Sequence, residues 1–276
     1  MNGTTAEAGG NMDPFEAFKA VQKQGWAHFA PLEVVTMLPA TRLVKFAGVG
    51  TGQKVLDVGC GTGVVAITAG RIGAKVTALD LTPELLERAR YNSQIAGIEV
   101  DWREGDVEKL PFTDGIFDAV LSQFGHIFAP RPDLALSEML RVLKSGGTIA
   151  FSTWPPDLLV GRMFSMTARY MPPPPPGVVP PVQWGDRATI RERLGNSVRD
   201  IVFDDGIALA PALSPQHFRI MTEQTAGPLI KLVETLATSA PSKLASFRRE
   251  YDAVAAEYFH NNAVQQGYIM TRAIKN

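Results

Sequence analysis

Gly59, Gly61 and Gly63 stand at alternate positions directly after the run Val55-Leu56-Asp57-Val58, and this segment constrains the fold more than any other. A short apolar run reads as a strand buried on both faces. Glycines immediately beyond it let the backbone turn sharply and leave no side chain between loop and ligand. The spacing discriminates between ligands. A dinucleotide oxidoreductase places its third glycine three positions after the second, facing a pyrophosphate; here the interval is two. Asp57, on the strand before the loop, would repel a diphosphate and suits a ligand carrying an ammonium group.

Strand and helix patterns then alternate. Residues 64–71 read as a helix, 75–79 as a second apolar run, and 83–96 as a helix with Thr82 as N-cap. Residues 99–103 and 117–122 read as strands, and Pro132 opens a helix with Leu136, Met139, Leu140 and Leu143 on one face. Lys144-Ser145-Gly146-Gly147 is expected to end that helix ahead of a fifth strand over 148–153. The alternation predicts a doubly wound α/β fold around a mostly parallel, Rossmann-like sheet, with ligands bound at the carboxyl ends of its strands.

The flanks are less regular. Residues 13–49 read as N-terminal helices, the second beginning at Pro31. After Trp154, the prolines at 155–156, 172–176 and 180–181 exclude helix and sheet where they stand. Helices are expected over 187–194, 215–222 and from Pro228 to Phe259 with a break near Pro241, and strands over 198–203 and 267–273.

The second strand ends in Asp80, whose carboxylate can accept two parallel hydrogen bonds, as adjacent ribose hydroxyls require. Gly105-Asp106-Val107 follows the third strand, and Phe117-Asp118-Ala119-Val120-Leu121-Ser122-Gln123-Phe124 makes up the fourth and its end. Together with the segment from Asp57 to Gly63, these residues resemble the class I S-adenosylmethionine-dependent methyltransferases. The resemblance is close over residues 50–154, looser elsewhere, and nearest to the branch that methylates small molecules, including quinone-biosynthesis and natural-product enzymes.

The resemblance implies a seven-stranded sheet whose last strand, near Gly267, runs antiparallel. It implies S-adenosylmethionine as cofactor, with the loop backbone at Gly59, Cys60 and Gly61 against the methionine part and Gly63 completing the motif. Asp57 would help to bind the ammonium group, Asp80 the ribose, and Leu81 would pack on the adenine that Asp106 and Val107 read. Ser122, Gln123 and Phe124 would approach the methyl donor, and Trp26 would belong to a lid.

Methyl transfer from a sulfonium is an in-line displacement in which the enzyme mainly aligns donor and acceptor and keeps them dry. Some acceptors also need a proton removed. His126, just beyond Phe124, is the candidate base, with His28 a second choice. The four histidines have no metal-site spacing, and the single cysteine, Cys60, permits neither a disulfide nor a cysteine-rich zinc site. No metal is expected.

A net charge of −1 without a basic cluster argues against nucleic acid as partner. No apolar stretch has the length of a membrane span, so no stable membrane insertion is expected, and residues 1–12 read as a frayed tail of a cytoplasmic protein. Oligomeric state leaves no mark in the sequence. The expected layout is one domain: helices and lid over 13–49, cofactor core over 50–154, a cap over 155–197, and C-terminal strands and helices over 198–276. Met163, Phe164, Met166, Met171 and Trp184 in the cap point to a small hydrophobic or aromatic acceptor. Two other readings share the fold: a nicotinamide-dependent oxidoreductase, which the glycine spacing opposes, and a non-catalytic S-adenosylmethionine-binding module.

Overall fold

The near-continuous apolar runs become strands buried on both faces because each is followed by a helix that crosses back over the sheet. The computed structural model describes residues 13–276; the tail expected over 1–12 lies outside the described residues. Two helices come first, α1 (Pro14–Trp26) and α2 (Glu33–Phe46). The alternating unit follows: β1 (Lys54–Val58), α3 (Val64–Arg71), β2 (Lys75–Asp80), α4 (Pro83–Ala96), β3 (Asp101–Glu104), β4 (Phe117–Gln123), α5 (Pro132–Val142) and β5 (Leu143–Thr153). The remainder comprises α6 (Leu159–Ala168), α7 (Arg187–Leu194), β6 (Val198–Pro211), α8 (Pro215–Thr225), α9 (Gly227–Ser239), α10 (Pro241–Glu257), β7 (Phe259–His260) and β8 (Ala263–Lys275).

The strands order as β3-β2-β1-β4-β5-β8-β6, parallel from β3 to β5, with β8 antiparallel to both β5 and β6. This is the expected seven-stranded path with its antiparallel member. The two-residue β7 is an eighth, folding back on the start of β8. The order reverses between β1 and β4, so the chain leaves the sheet in opposite directions there and opens a crevice.

The structure departs from the sequence reading in several places. Pro31 lies in a single 3-10 turn, Ala30–Leu32, and α2 starts only at Glu33. Thr82 occupies the N-cap of α4, but its hydroxyl makes no capping bond; Asp80 Oδ1 accepts from the Thr82 amide instead. The Lys144–Gly147 turn is absorbed into β5, because Leu143 already pairs with Phe117 and the ladder resumes at Thr148 after an irregularity. β6 and β8 are each longer than expected because they form one long antiparallel ribbon from Val198↔Lys275 to Pro211↔Ala263. A helix, α6, occupies part of the segment read as irregular, burying Leu159, Met163 and Met166 at helical spacing.

Candidate active site

Backbone approach sets the floor of the crevice. Gly59, Gly61 and Gly63 all have left-handed backbones, with φ of 62°, 53° and 84°. Gly125, just beyond β4, presses directly on the loop: a Cβ there would lie 2.3 Å from the Gly59 carbonyl oxygen. Gly63 admits no side chain because Trp102 of β3 covers it, 2.5 Å from where a Cβ would be. Ser122 fastens the same corner. Its hydroxyl donates to the Val58 carbonyl at 2.6 Å and accepts from the His126 amide at 3.1 Å.

Three aspartates close the strand ends. Asp57 is buried; its Oδ2 accepts from the Ala66 amide at the start of α3 (3.0 Å), and its Oδ1 has no partner among the described residues. Burial, with a contribution from the Asp80 charge, pushes the Asp57 carboxyl up to about 8. Asp80 accepts from Gly61 N and Thr82 N, both at 2.8 Å, and desolvation raises its pKa too. Asp106 Oδ2 holds the ammonium of Lys19 at 2.5 Å while its Oδ1 accepts from Glu108 N. The buried thiol of Cys60 is pushed well above the ordinary cysteine range, so this residue contributes backbone rather than a nucleophile.

Opposite these acids stands an apolar wall. One cavity of about 300 Å³ joins the strand ends to residues of α1, α2, α6, α8, α9 and α10. Trp26 packs against Phe128 at 4.5 Å between ring centroids, and Phe128 meets Phe164 edge-on at 5.9 Å, roofing the space. Phe124 has a left-handed backbone (φ 62°) and stacks on Trp154 at 3.8 Å, which pins its ring at the rim. Gln123 donates its amide N–H to the Thr36 carbonyl of α2 at 2.8 Å, leaving its buried amide oxygen unpartnered among the described residues.

The cavity gathers Trp26, Asp57, Gly59, Cys60, Gly61, Asp80, Leu81, Asp106, Val107, Gln123 and Phe124. Gly63 and Ser122 lie behind it, one starting α3 and the other stapling β1 to β4. The cap is built differently from expectation. Met163 and Phe164 line the cavity, whereas Met166, Met171 and Trp184 do not, and the proline run 172–176 stays outside it. The missing wall comes from α8, α9 and α10, through Phe218, Thr222, Leu229 and Tyr251. Neighbouring residues carried no signal for this, since these helices have the apolar stripe of any packed helix.

A family profile described as a methyltransferase domain matches residues 56–151. The chain is 37% identical over 234 residues to an uncharacterized protein of Mycobacterium tuberculosis, covering 84% of this chain and 85% of that one. It is 36% identical over 160 residues to a ubiquinone biosynthesis O-methyltransferase of Xanthomonas oryzae, covering 55% of this chain and 66% of that protein. Among solved structures, a methyltransferase from Bacillus halodurans superposes with a TM-score of 0.57 at 22% identity, covering 86% of this chain and 98% of that one. The chain belongs to the class I S-adenosylmethionine-dependent methyltransferases. It is a methyltransferase by family, and the oxidoreductase and non-catalytic readings give way to it.

In this methyltransferase, His126 is badly placed for a base. It borders the cavity, but its ring packs against Phe151 (4.8 Å) and Trp184 (4.7 Å), and neither ring nitrogen has a partner among the described residues. Burial, with the nearby Arg193 charge, lowers its pKa to about 3. A base that weak collects almost no proton near neutral pH, which argues against a catalytic role for His126. His28 is exposed and outside the cavity. Among the described residues no group of acids, histidines or cysteines could hold a metal ion, and no helix is long and apolar enough to cross a membrane.

Lys19 is the residue the sequence reading missed. It is buried on α1, and its ammonium contacts Glu16 (3.1 Å), Asp106 (2.5 Å) and Glu108 (2.7 Å). Although burial opposes the charge, hydrogen bonds to the three carboxylates raise its pKa above the ordinary lysine value. The ammonium therefore latches α1 to the segment after β3. At the other end of α1, Gly25 meets Gly227 of α9 backbone to backbone, with 2.5 Å between a Cβ added at Gly227 and the Gly25 carbonyl carbon. Lys19→Met should leave Glu108 buried beside one fewer cation, costing roughly 3 kcal/mol. Amide exchange along α1 should accelerate well beyond that of α3; equal protection in variant and parent would refute the latch.

Proposed function

We propose that the cavity holds S-adenosylmethionine along the ends of β1, β2, β3 and β4 and admits a small apolar methyl acceptor between α2, α6, α8 and α10. One observation carries the reading: a single cavity has unsatisfied acid at one end and an apolar wall at the other. The residues fit the cofactor. Asp57 Oδ1, buried and without a partner among the described residues, suits an ammonium group, and the open backbone at Gly61 gives room for the methionine chain. Each Asp80 oxygen already accepts one backbone N–H and keeps a lone pair for a ribose hydroxyl. Leu81 supplies an apolar face for the adenine, with Asp106 and Val107 at its edge.

When bound, the cofactor supplies an electrophilic methyl group. The protein's part is to orient and to dry. Phe124 on Trp154 and the Trp26–Phe128–Phe164 roof exclude water from the space beside it. A panel of uncharged aromatic and isoprenoid compounds, assayed by S-adenosylhomocysteine release, tests the reading. Turnover confined to charged or peptidic acceptors would sink it. His126→Phe, which keeps the ring packing, should retain turnover within about threefold; a hundredfold loss in a normally folded variant would restore His126 to the mechanism.

A further inference from the structure

Thr36, Thr222 and Tyr251, three polar residues on the acceptor side of the cavity, are satisfied within the protein. The Thr36 hydroxyl donates to the Glu33 carbonyl at 2.8 Å. The Thr222 hydroxyl bonds the Phe218 carbonyl at 3.0 Å and the Tyr251 hydroxyl at 2.8 Å, so that Tyr251 donates to Thr222 and Thr222 to the backbone. Gln123 is different. Its Nε2 is spent on the Thr36 carbonyl, which fixes the amide's orientation because an oxygen turned toward that carbonyl would meet another acceptor. The Oε1 atom is therefore the free end, buried, on a residue that lines the cavity, and without a partner among the described residues. An unmet acceptor of this kind is destabilising until something donates to it.

Asp57 pairs with Leu121 across β1 and β4, so Gln123, two residues farther on, projects from the same face. Strand rise and strand spacing put it roughly 8 Å from Asp57, beyond the acid that would anchor the amino end of the methionine chain. That is the side on which the apolar wall stands. Side chains able to take a proton are scarce there: the Tyr251 phenol is pushed above its usual range by burial, the His126 ring is pushed down, and Lys19 is held protonated.

Resting on the cofactor placement proposed above, we propose that the Gln123 amide oxygen receives the O–H of the methyl acceptor. The acceptor is then an uncharged, largely apolar molecule with a phenolic or enolic hydroxyl, acidic enough to react without a base from the protein. In the transfer, an oxygen lone pair forms the new O–CH₃ bond, the C–S bonding pair returns to sulfur as a neutral thioether, and the hydroxyl proton passes through its hydrogen bond at Gln123 to bulk water as the ether departs. Gln123 holds the hydroxyl in line before transfer and is left without its donor afterwards, which favours release of the ether.

The test compares 1-naphthol with 1-methylnaphthalene, nearly equal in shape but only one able to donate. Both are titrated by calorimetry into protein saturated with S-adenosylhomocysteine. On Gln123→Met, which conserves volume, the naphthol-to-methylnaphthalene affinity ratio should fall about tenfold, while S-adenosylhomocysteine affinity stays within about threefold of the parent. A ratio unchanged within twofold overturns the inference. So does a tenfold loss of S-adenosylhomocysteine affinity with the ratio intact, which would make Gln123 a cofactor contact. Failure of the parent itself to bind S-adenosylhomocysteine would strike the cofactor reading instead and is seen before either naphthalene is added.

Discussion

Gly125→Ala should abolish cofactor binding and lower the free energy of unfolding by about 3 kcal/mol, the upper range for an overpacked site. The cause is steric alone. Gly125 does not have a left-handed backbone, so the substitution brings no conformational strain; the added carbon would instead sit 2.3 Å from the Gly59 carbonyl oxygen and 2.8 Å from the Gly59 Cα. Neither neighbour can rotate away, since both are backbone, and Gly59 is itself held at positive φ at the head of the glycine loop. The loop must move, and with it the amides of Cys60 and Gly61 that line the cavity. Gly50→Ala is the matched control, because its Cβ would approach nothing closer than 4.0 Å and only the end of the Gln53 side chain. Thermal unfolding and S-adenosylhomocysteine titration of the two variants decide the point. A Gly125→Ala protein that melts with the parent and binds normally would show that the β1–β4 contact is slack.

The second large effect is a dependence on pH governed by Asp57. Its carboxyl titrates near 3.8 when unfolded and at about 8 in the folded protein without ligand. Between those values the folded state binds the extra proton, so stability falls as pH rises from about 4 and levels off above about 8. An ammonium ligand has the opposite preference, since it needs the carboxylate. S-adenosylhomocysteine affinity should therefore climb with pH, up to about tenfold per unit below pH 8, and flatten above it. Asp57→Asn should weaken binding roughly a hundredfold at pH 8, the loss of a charge-assisted contact, and should remove both slopes. Calorimetry and melting curves from pH 6 to 9 supply the measurement. Parallel profiles for parent and variant would mean that Asp57 does not face the amino group.

Much of the candidate site was legible because its signals are local. The glycine loop, Asp57 before it and Asp80 at the next strand end lie within one β-α-β unit, where strand period and turn chemistry dictate which atoms point outward. The register of β1 with β2 and β4 then brings those ends together. His126 shows what local reading leaves out. Its place just past β4 suggested a base at the cavity, but its chemistry is set by Phe151 and Trp184, which come from β5 and from the turn before α7.

By itself the sequence determined the alternation of strands and helices, the family, and the strand ends that line the cavity. All of that rests on interactions between residues a few positions apart, or on crossovers with one allowed hand. Tertiary structure alone decided the rest: that Lys19 reaches Asp106 across 87 positions of sequence, that Tyr251 and Thr222 satisfy each other, that α8 to α10 complete the wall, and that Gln123 keeps a bare oxygen. An apolar stripe says that a helix must pack and leaves open against what. The state of a buried polar group depends on which distant groups complete its hydrogen bonds, and those partners exist only once the chain has closed around them.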